Sequence, residues 1–262
     1  MKEIAMRIVP WHFLKIVLTF MIVAGLSFVP ANTAQSEEKE LINIPGDFST
    51  TLGFVTDYRF RGLSQTDRHP AIQGSFDWAH NSGFYLGVWG SNVDFQEGAL
   101  SSDGASTEFD LYGGYSTEIK GFTLDVGLLY KTYPGAANSL GYDFMEYNFT
   151  VGYNLEILSL SGGVSYAPDF YGFTTGDATY MTWDAEVPLG RNLTATAHVG
   201  RQWIDNNPVY NPDYTDYAIG VSYATNGFDI SLQYVDTSIS DTDCVVTDQC
   251  EGDVVFGISR SF

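Results

Sequence analysis

From residue 48 to the end of the chain, apolar and polar side chains alternate with a period of two. Twelve such runs can be read, at about 48–60, 70–79, 84–94, 106–117, 122–132, 144–154, 158–167, 180–189, 193–203, 214–224, 228–237 and 253–262, the pattern of strands with unlike faces. Many are as long as a tilted strand must be to cross a bilayer. The first run, FSTTLGFVTDYRFRG (48–62), sets Phe48, Leu52, Phe54, Tyr58 and Phe60 on one phase and Ser49, Thr51, Asp57, Arg59 and Arg61 on the other. A soluble protein would bury the first set and wet the second. A membrane barrel would turn the first set to lipid and the second to its lumen.

The connections decide between these solutions. Short ones at Asn81-Ser82-Gly83, Ile119-Lys120-Gly121, Leu155-Glu156-Ile157, Gly190-Arg191-Asn192 and Thr225-Asn226-Gly227 alternate with long polar ones near 62–69, 95–105, 133–143, 168–179, 204–213 and 238–252. Several short ones carry the Gly or Asn that tight hairpins need for positive φ. A soluble sandwich has no reason to gather every long loop at one end. An outer-membrane barrel with both termini in the periplasm has short turns inside, long loops outside and an even strand number. The expected fold is therefore all-β: a transmembrane antiparallel up-and-down barrel of twelve strands over residues 48–262.

Aromatic residues on the apolar phase cluster by end. Trp78, Phe84, Tyr115, Phe122, Tyr153, Tyr223 and Phe228 border the short turns, whereas Tyr58, Tyr130, Tyr147, Tyr166, Trp183, Tyr217 and Tyr234 lie toward the long loops. Strand propensity explains their number but not their grouping, and two girdles are the mark of membrane interfaces. The chain stops on Phe262 after Val254, Phe256 and Ile258, with Arg260 interrupting the phase. An alternating strand closed by a terminal aromatic resembles the ending that barrel-assembly machinery reads in bacterial outer-membrane proteins.

The N-terminus reads as an address. Lys2, Arg7 and Lys15 precede an apolar run, Ile16 to Val29, and small residues follow through Ala34. This is the order of a secretory signal, and the run is short for a membrane-spanning anchor, the alternative reading. Cleavage is expected near Ala31 or Ala34, making residues 1–34 a signal peptide and 35–47 a short periplasmic lead. Its removal takes away Lys2, Arg7, Lys15 and Glu3 and makes the net charge of −20 more negative still. Such a chain is a poor partner for nucleic acid, which needs clustered Lys and Arg. Cys244 and Cys250, in a polar stretch of an exported protein, are expected to form a local disulfide. Two thiols with no nearby His do not make a metal site, and no cofactor or metal is expected. Calcium ligation by Asp241-Thr242-Asp243 is weighed against hydrated acids, the commoner state of such loops.

One stretch carries a family resemblance. Asp57-Tyr58-Arg59-Phe60-Arg61-Gly62, Ser64-Gln65, Pro70-Ala71, Gly83-Phe84-Tyr85, Gly87-Val88-Trp89 and Asn92-Val93 resemble the opening of the TorF-type porin family, proteobacterial outer-membrane proteins long labelled conserved hypothetical. The resemblance is weaker along the later strands and resumes at Val254–Phe262. It implies an outer-membrane barrel assigned as a porin. It carries over no catalytic or binding residues.

The polar phase supplies the candidates for a pore lining: Asp57, Arg59, Arg61, Asp77, Glu108, Asp110, Asp125, Lys131, Glu146, Asp184, Glu186, Asp216 and Asp229. Carboxylates dominate, and each unpaired one in a dry interior would cost several kcal/mol, so water must reach them. Gly53, Gly114, Gly127, Gly152, Gly163, Gly200, Gly220 and Gly257 share that phase and suggest a lightly furnished, partly open lumen. Twelve strands lie between barrels filled by side chains and wide channels. The expectation is a narrow pore for small solutes, preferring cations because its wall is acidic. Asp57, Arg59 and Arg61 make a mixed-charge spot near the outer end of strand one, either a constriction or pairs with acids on neighbouring strands. The run 84–94 carries apolar residues on both phases, so Tyr85 and Trp89 could face the lumen or pack on an inward-folded loop. Rival readings are a non-conducting barrel working through its loops, a secreted sandwich, and a barrel hydrolase. The last would need a Ser–His pair, and of His69, His80 and His198 none has a serine at evident spacing.

Overall fold

The structure, a computed structural model, describes residues 44–95, 104–171, 175–206, 213–240, 243–244 and 248–262. The leader and its cleavage points lie outside the described residues, as do Asp241 and Thr242.

Twelve strands close into one antiparallel barrel: β1 (Asp47–Val55), β4 (Ala71–Ala79), β5 (Phe84–Asn92), β6 (Thr107–Ile119), β7 (Phe122–Thr132), β8 (Phe144–Asn154), β9 (Ser159–Ala167), β10 (Ala178–Gly190), β11 (Leu193–Ile204), β12 (Tyr214–Thr225), β13 (Phe228–Thr237) and β14 (Asp253–Ser261). β2 (Arg59–Phe60) and β3 (Leu63–Ser64) form a small separate hairpin in the first long loop. Each barrel strand pairs with its chain neighbours, and β1 joins β14 to close the ring. Closure leaves no unpaired strand edge, which a bilayer requires because it offers no water to an exposed backbone. The seam runs from Val55↔Gly257 to Thr51↔Ser261. At its end Phe262 N–H donates to the Thr50 carbonyl at 2.8 Å, and Thr50 N–H donates to the Phe262 carbonyl at 3.1 Å.

The short connections follow from their residues. Lys120-Gly121, Arg191-Asn192 and Asn226-Gly227 have positive φ at both positions, the two-residue hairpin geometry whose twist matches the flanking strands. The long connections all lie at the other end.

Burial separates the two phases of each strand. Phe48, Leu52, Ile72, Phe76, Leu86, Leu111, Val126, Leu128, Phe149, Ile219, Leu232 and Val254 are exposed, while Asp77, Glu108, Asp125, Lys131, Glu146, Gln202 and Asp216 are buried. A belt of apolar side chains this continuous is unstable against water and complementary to acyl chains. The molecule is an outer-membrane β-barrel. Tyr130, Tyr147, Tyr166, Trp183, Tyr217 and Tyr234 are exposed toward the long loops, and Phe84, Phe122, Tyr153 and Tyr223 toward the short turns. Arg260 projects outward between the rings of Phe228 and Phe262, 5.0 and 5.1 Å from their centroids. It breaks the apolar phase only where the barrel meets the periplasmic interface, and there a long cationic side chain can snorkel.

Two expectations are corrected. The first strand ends at Val55, not residue 60, so Asp57, Arg59 and Arg61 lie off the wall. Tyr58, assigned to the outer girdle, is buried inside. Tyr58 and Phe60 keep the alternation going because the small hairpin is itself extended, but the barrel encloses it, with one face buried and the other half-buried.

Candidate functional site: a lumen crossed by the first long loop

Residues 56–70 fold into the barrel. The turn joining β2 to β3 is Arg61-Gly62, with φ 50° and 81°, and Phe60 pairs with Leu63 across it. Gly62 is required twice over, since a Cβ there would lie 2.6 Å from Thr237 Cγ2 and 2.7 Å from Asp216 Cβ. Asp57 organises the base: its carboxylate accepts from Arg59 Nε, from Ser64 Oγ at 2.6 Å and from Thr66 Oγ1 at 3.2 Å. Gln65 N–H then closes the neck by donating to the Tyr58 carbonyl at 2.7 Å.

Three cations fasten the hairpin to the wall. Arg59 Nη1 donates to the carbonyls of Gly62 (3.0 Å), Gln249 (3.1 Å) and Glu251 (2.8 Å). The last two flank Cys250, which is bonded to Cys244, so the disulfide braces the final loop where it grips the first. Arg61 reaches across to Glu146 on β8 and donates to Gln202 Oε1 on β11 at 2.8 Å. Its guanidinium also lies over the rings of Phe60 and Tyr180, at 4.7 and 4.3 Å. Lys131 pairs with Glu108, approaches Asp110 at 3.4 Å and caps the Phe60 ring at 4.3 Å. Tyr58 donates to Glu108 at 2.9 Å and meets Trp89 edge-on at 5.4 Å. Burial pushes the Tyr58 hydroxyl well above its usual range, and the Glu108 and Asp110 charges push it further. It therefore stays a donor.

Above the hairpin Phe95, Tyr133, Tyr142 and Tyr171 pack together, with Phe144 and Phe170 alongside, at centroid distances of 5.1 to 6.1 Å for the contacts of Tyr142 and Tyr171. The outer half of the lumen is thus filled by paired charge and aromatic rings.

The periplasmic half is furnished differently, by small polar residues and acids. Asp77 accepts from Tyr112, and from Ser75 at 2.7 Å; Asp125 accepts from Tyr85 at 2.9 Å. Between the two halves His198 sits at mid-wall, bridging Asp184 Oδ1 (2.6 Å) to Asp216 Oδ2 (2.8 Å) and the Tyr180 hydroxyl (3.0 Å), which lie toward the long loops. Glu186 is half-buried on the inner phase of β10, and Asp229 is buried on that of β13.

The glycines on this phase have a second use. Tyr85 on β5 crosses Gly114 on β6 to reach Asp125 on β7. Tyr112 on β6 crosses Gly87 on β5 to reach Asp77 on β4, and Tyr180 on β10 crosses Gly200 on β11 to reach Asp216 on β12. In each case a Cβ on the glycine would fall 2.0 to 2.5 Å from the tyrosine hydroxyl. These glycines do not leave the lumen empty; they seat a ring that braces a carboxylate two strands away. Gly200→Ala is accordingly expected to cost about 1–3 kcal/mol by overpacking. Gly53→Ala, whose Cβ would meet nothing closer than 3.6 Å, should be near neutral in the same urea-unfolding series. Equal effects at the two sites would refute the seat.

Of the sequence candidates, Asp77, Glu108, Asp110, Asp125, Lys131, Glu146, Asp184, Glu186, Asp216 and Asp229 lie on inner strand faces, and Asp57, Arg59 and Arg61 lie in the inserted loop. Tyr85 and Trp89 both point inward, Tyr85 toward the acids and Trp89 against the loop. Sequence reasoning missed Tyr58, Gln73, Tyr112, Tyr180 and Gln202. The signal available for Tyr112 and Tyr180 was a ring on the acid phase beside strand glycines. Among the described residues no serine joins His198. His80 meets Ser82 Oγ at 2.6 Å in an exposed turn, but His80 Nδ1 also accepts the Ser82 N–H at 3.1 Å, and among the described residues no carboxylate orients it.

The profile of the Gcw_chp family, described as bacterial proteins of unknown function, matches residues 42–262. No curated protein sequence matches. Among solved structures, the KdgM porin is 9% identical, with 82% of this chain and 99% of that one covered at a TM-score of 0.56. The NanC porin is 10% identical over 82% and 99%, at 0.54. An outer-membrane channel from Pseudomonas putida F1 is 11% identical over 87% and 100%, at 0.50. At such identities the likeness establishes the barrel fold. These similar structures are porins or channels.

Proposed function

The chain belongs to the Gcw_chp family of bacterial proteins of unknown function, and from that premise we propose that it is a porin-like channel. It would pass small solutes through a narrow, acid-lined lumen that prefers cations. The observation that carries the reading is a charge imbalance. The lumenal cations Arg59, Arg61 and Lys131 are committed to acids of the outer half. In the periplasmic half Asp77, Asp125 and Glu186 have no ion-pair partner among the described residues. Carboxylates without cations need water, and a wet acidic vestibule raises the local concentration of cations. The resemblance to TorF-type porins carried by the blocks between Asp57 and Val93 and by Val254–Phe262 agrees with this. On the same reading Phe262 is the signal for barrel assembly, residues 1–34 are removed on export, and outer-membrane lipid is the resident partner.

One observation favours a second reading, a barrel that conducts nothing and works through its loops. The inserted hairpin is pinned across the lumen by Arg61 and Glu146. Planar-bilayer recording separates the two. The channel reading expects discrete current steps and, under a salt gradient, a reversal potential of cation-selective sign. Folded protein without steps supports the second reading, and an anion-selective potential removes the role given to the acids.

A further inference from the structure

The outside wall of the barrel carries one basic side chain in its outer aromatic girdle. Arg201 lies on the outward phase of β11, half-buried between the exposed Val199 and Trp203. Across the wall its row reads Met181, Arg201, Thr215, and the row toward the periplasm reads Trp183, Val199, Tyr217. Rows on one face are about 7 Å apart along a strand, so the guanidinium stands just outside Trp183 and Tyr217, at the depth of lipid headgroups. Nη1 donates to Thr215 Oγ1 at 3.2 Å, and the Trp203 ring lies 5.8 Å away. Neither neutralises the charge. Among the described residues no acid pairs with Arg201, whereas Arg59, Arg61, Lys131 and Arg68 each have one. A cation on a membrane-facing wall is costly unless it is paired. We propose that Arg201, with Trp183, Trp203 and Tyr217, binds the headgroup of a phosphorylated glycolipid in the outer leaflet.

The chemistry selects this class. Nε and Nη2 of Arg201 make no hydrogen bond among the described residues, and a guanidinium fork matches the oxygens of a phosphate. The rim around it is acidic, with Asp177 held by Tyr166 and Asp236 held by Tyr217 and Tyr234. A phosphate is repelled along that rim and attracted where the uncompensated cation stands. The exposed rings of Trp183, Trp203 and Tyr217 add flat apolar faces beside the charge, which suit the C–H faces of sugar rings. A glycerophospholipid would use the arginine and leave these rings without a partner from its headgroup. The site needs the barrel and its membrane but not conduction, so it stands or falls apart from the channel.

The test titrates the folded chain in detergent, its barrel verified by heat-dependent gel mobility, and counts bound lipid by native mass spectrometry. The probes are lipid A, an acylated glucosamine disaccharide with two phosphates, the same lipid after phosphatase treatment, and phosphatidylglycerol. Saturable binding of lipid A is expected, about tenfold tighter than either of the others, and Arg201→Gln should weaken it about tenfold, the worth of one hydrogen bond to a charged group. Arg260→Gln makes the same charge change at the periplasmic interface and should leave lipid A binding unaltered. Equal affinity for the phosphatase-treated lipid overturns the phosphate contact, and equal affinity for phosphatidylglycerol overturns the glycolipid. An Arg201→Gln protein that binds as well as the native one, or an equal loss in Arg260→Gln, overturns the site.

Discussion

Lys131→Met is expected to destabilise the barrel by about 3–5 kcal/mol, the usual cost of leaving a buried charge without its partner. Lys131 is 2% exposed and is the cation beside Glu108, which is wholly buried, and Asp110, at 9% side-chain exposure. Methionine keeps most of the volume and the contact with Phe60, so packing contributes little and charge dominates. Adding Glu108→Gln to Lys131→Met removes one of the two stranded carboxylates and should recover a large part of the loss. Urea unfolding followed by tryptophan emission reads both proteins. A single variant within about 0.5 kcal/mol of the native chain, the range of ordinary surface substitutions, would mean that water reaches this cluster freely and that the outer half is not packed as described.

Excising the inserted hairpin is expected to have the largest functional effect. Residues 59–64 leave and re-enter at a neck closed by the 2.7 Å bond from Gln65 N–H to the Tyr58 carbonyl, so Gly-Gly can replace them without straining β1 or β4. A twelve-stranded wall without its plug approaches the open-channel regime, and single-channel conductance should rise on the order of tenfold. Arg61→Ala, which keeps the hairpin but releases its tie to Glu146 and Gln202 and its stacking on Phe60 and Tyr180, should give flickering openings of intermediate size. Unchanged conductance in a correctly folded excision variant would show that the hairpin is not the obstruction.

How much of this could be read in advance depends on range. Strands such as Phe122–Thr132 and turns such as Asn226-Gly227 are written locally, in alternation and in residues that tolerate positive φ. The direction of the first long loop is not local. It is set by Arg61 meeting Glu146 and Gln202, and by Arg59 meeting carbonyls at Gln249 and Glu251, contacts 85 to 192 residues away in the chain. Alternation misled at Tyr58 and Phe60 because an extended loop enclosed by the barrel, one face buried and the other half-buried, keeps the period of a strand without having an outside. The lumenal glycines misled for a related reason. Composition registers the missing side chain at Gly114 or Gly200, but not the tyrosine that the next strand lays across it. The disposition of the acids was legible because period two fixes their face once the outward phase is known.

The facing of the two phases underlies every functional statement made for this barrel, and neighbouring residues on β9 test it directly. In a background with Cys244 and Cys250 both replaced by serine, Leu160→Cys and Ser161→Cys are compared in lipid vesicles. Leu160 is 42% exposed on the outer phase and Ser161 is on the inner one. A charged, water-soluble thiol reagent should modify the residue 161 variant readily and spare the residue 160 variant, which should react only with a lipid-soluble reagent. The opposite pattern, with 160 reached from water and 161 from lipid, would contradict the orientation and remove the lumen with it.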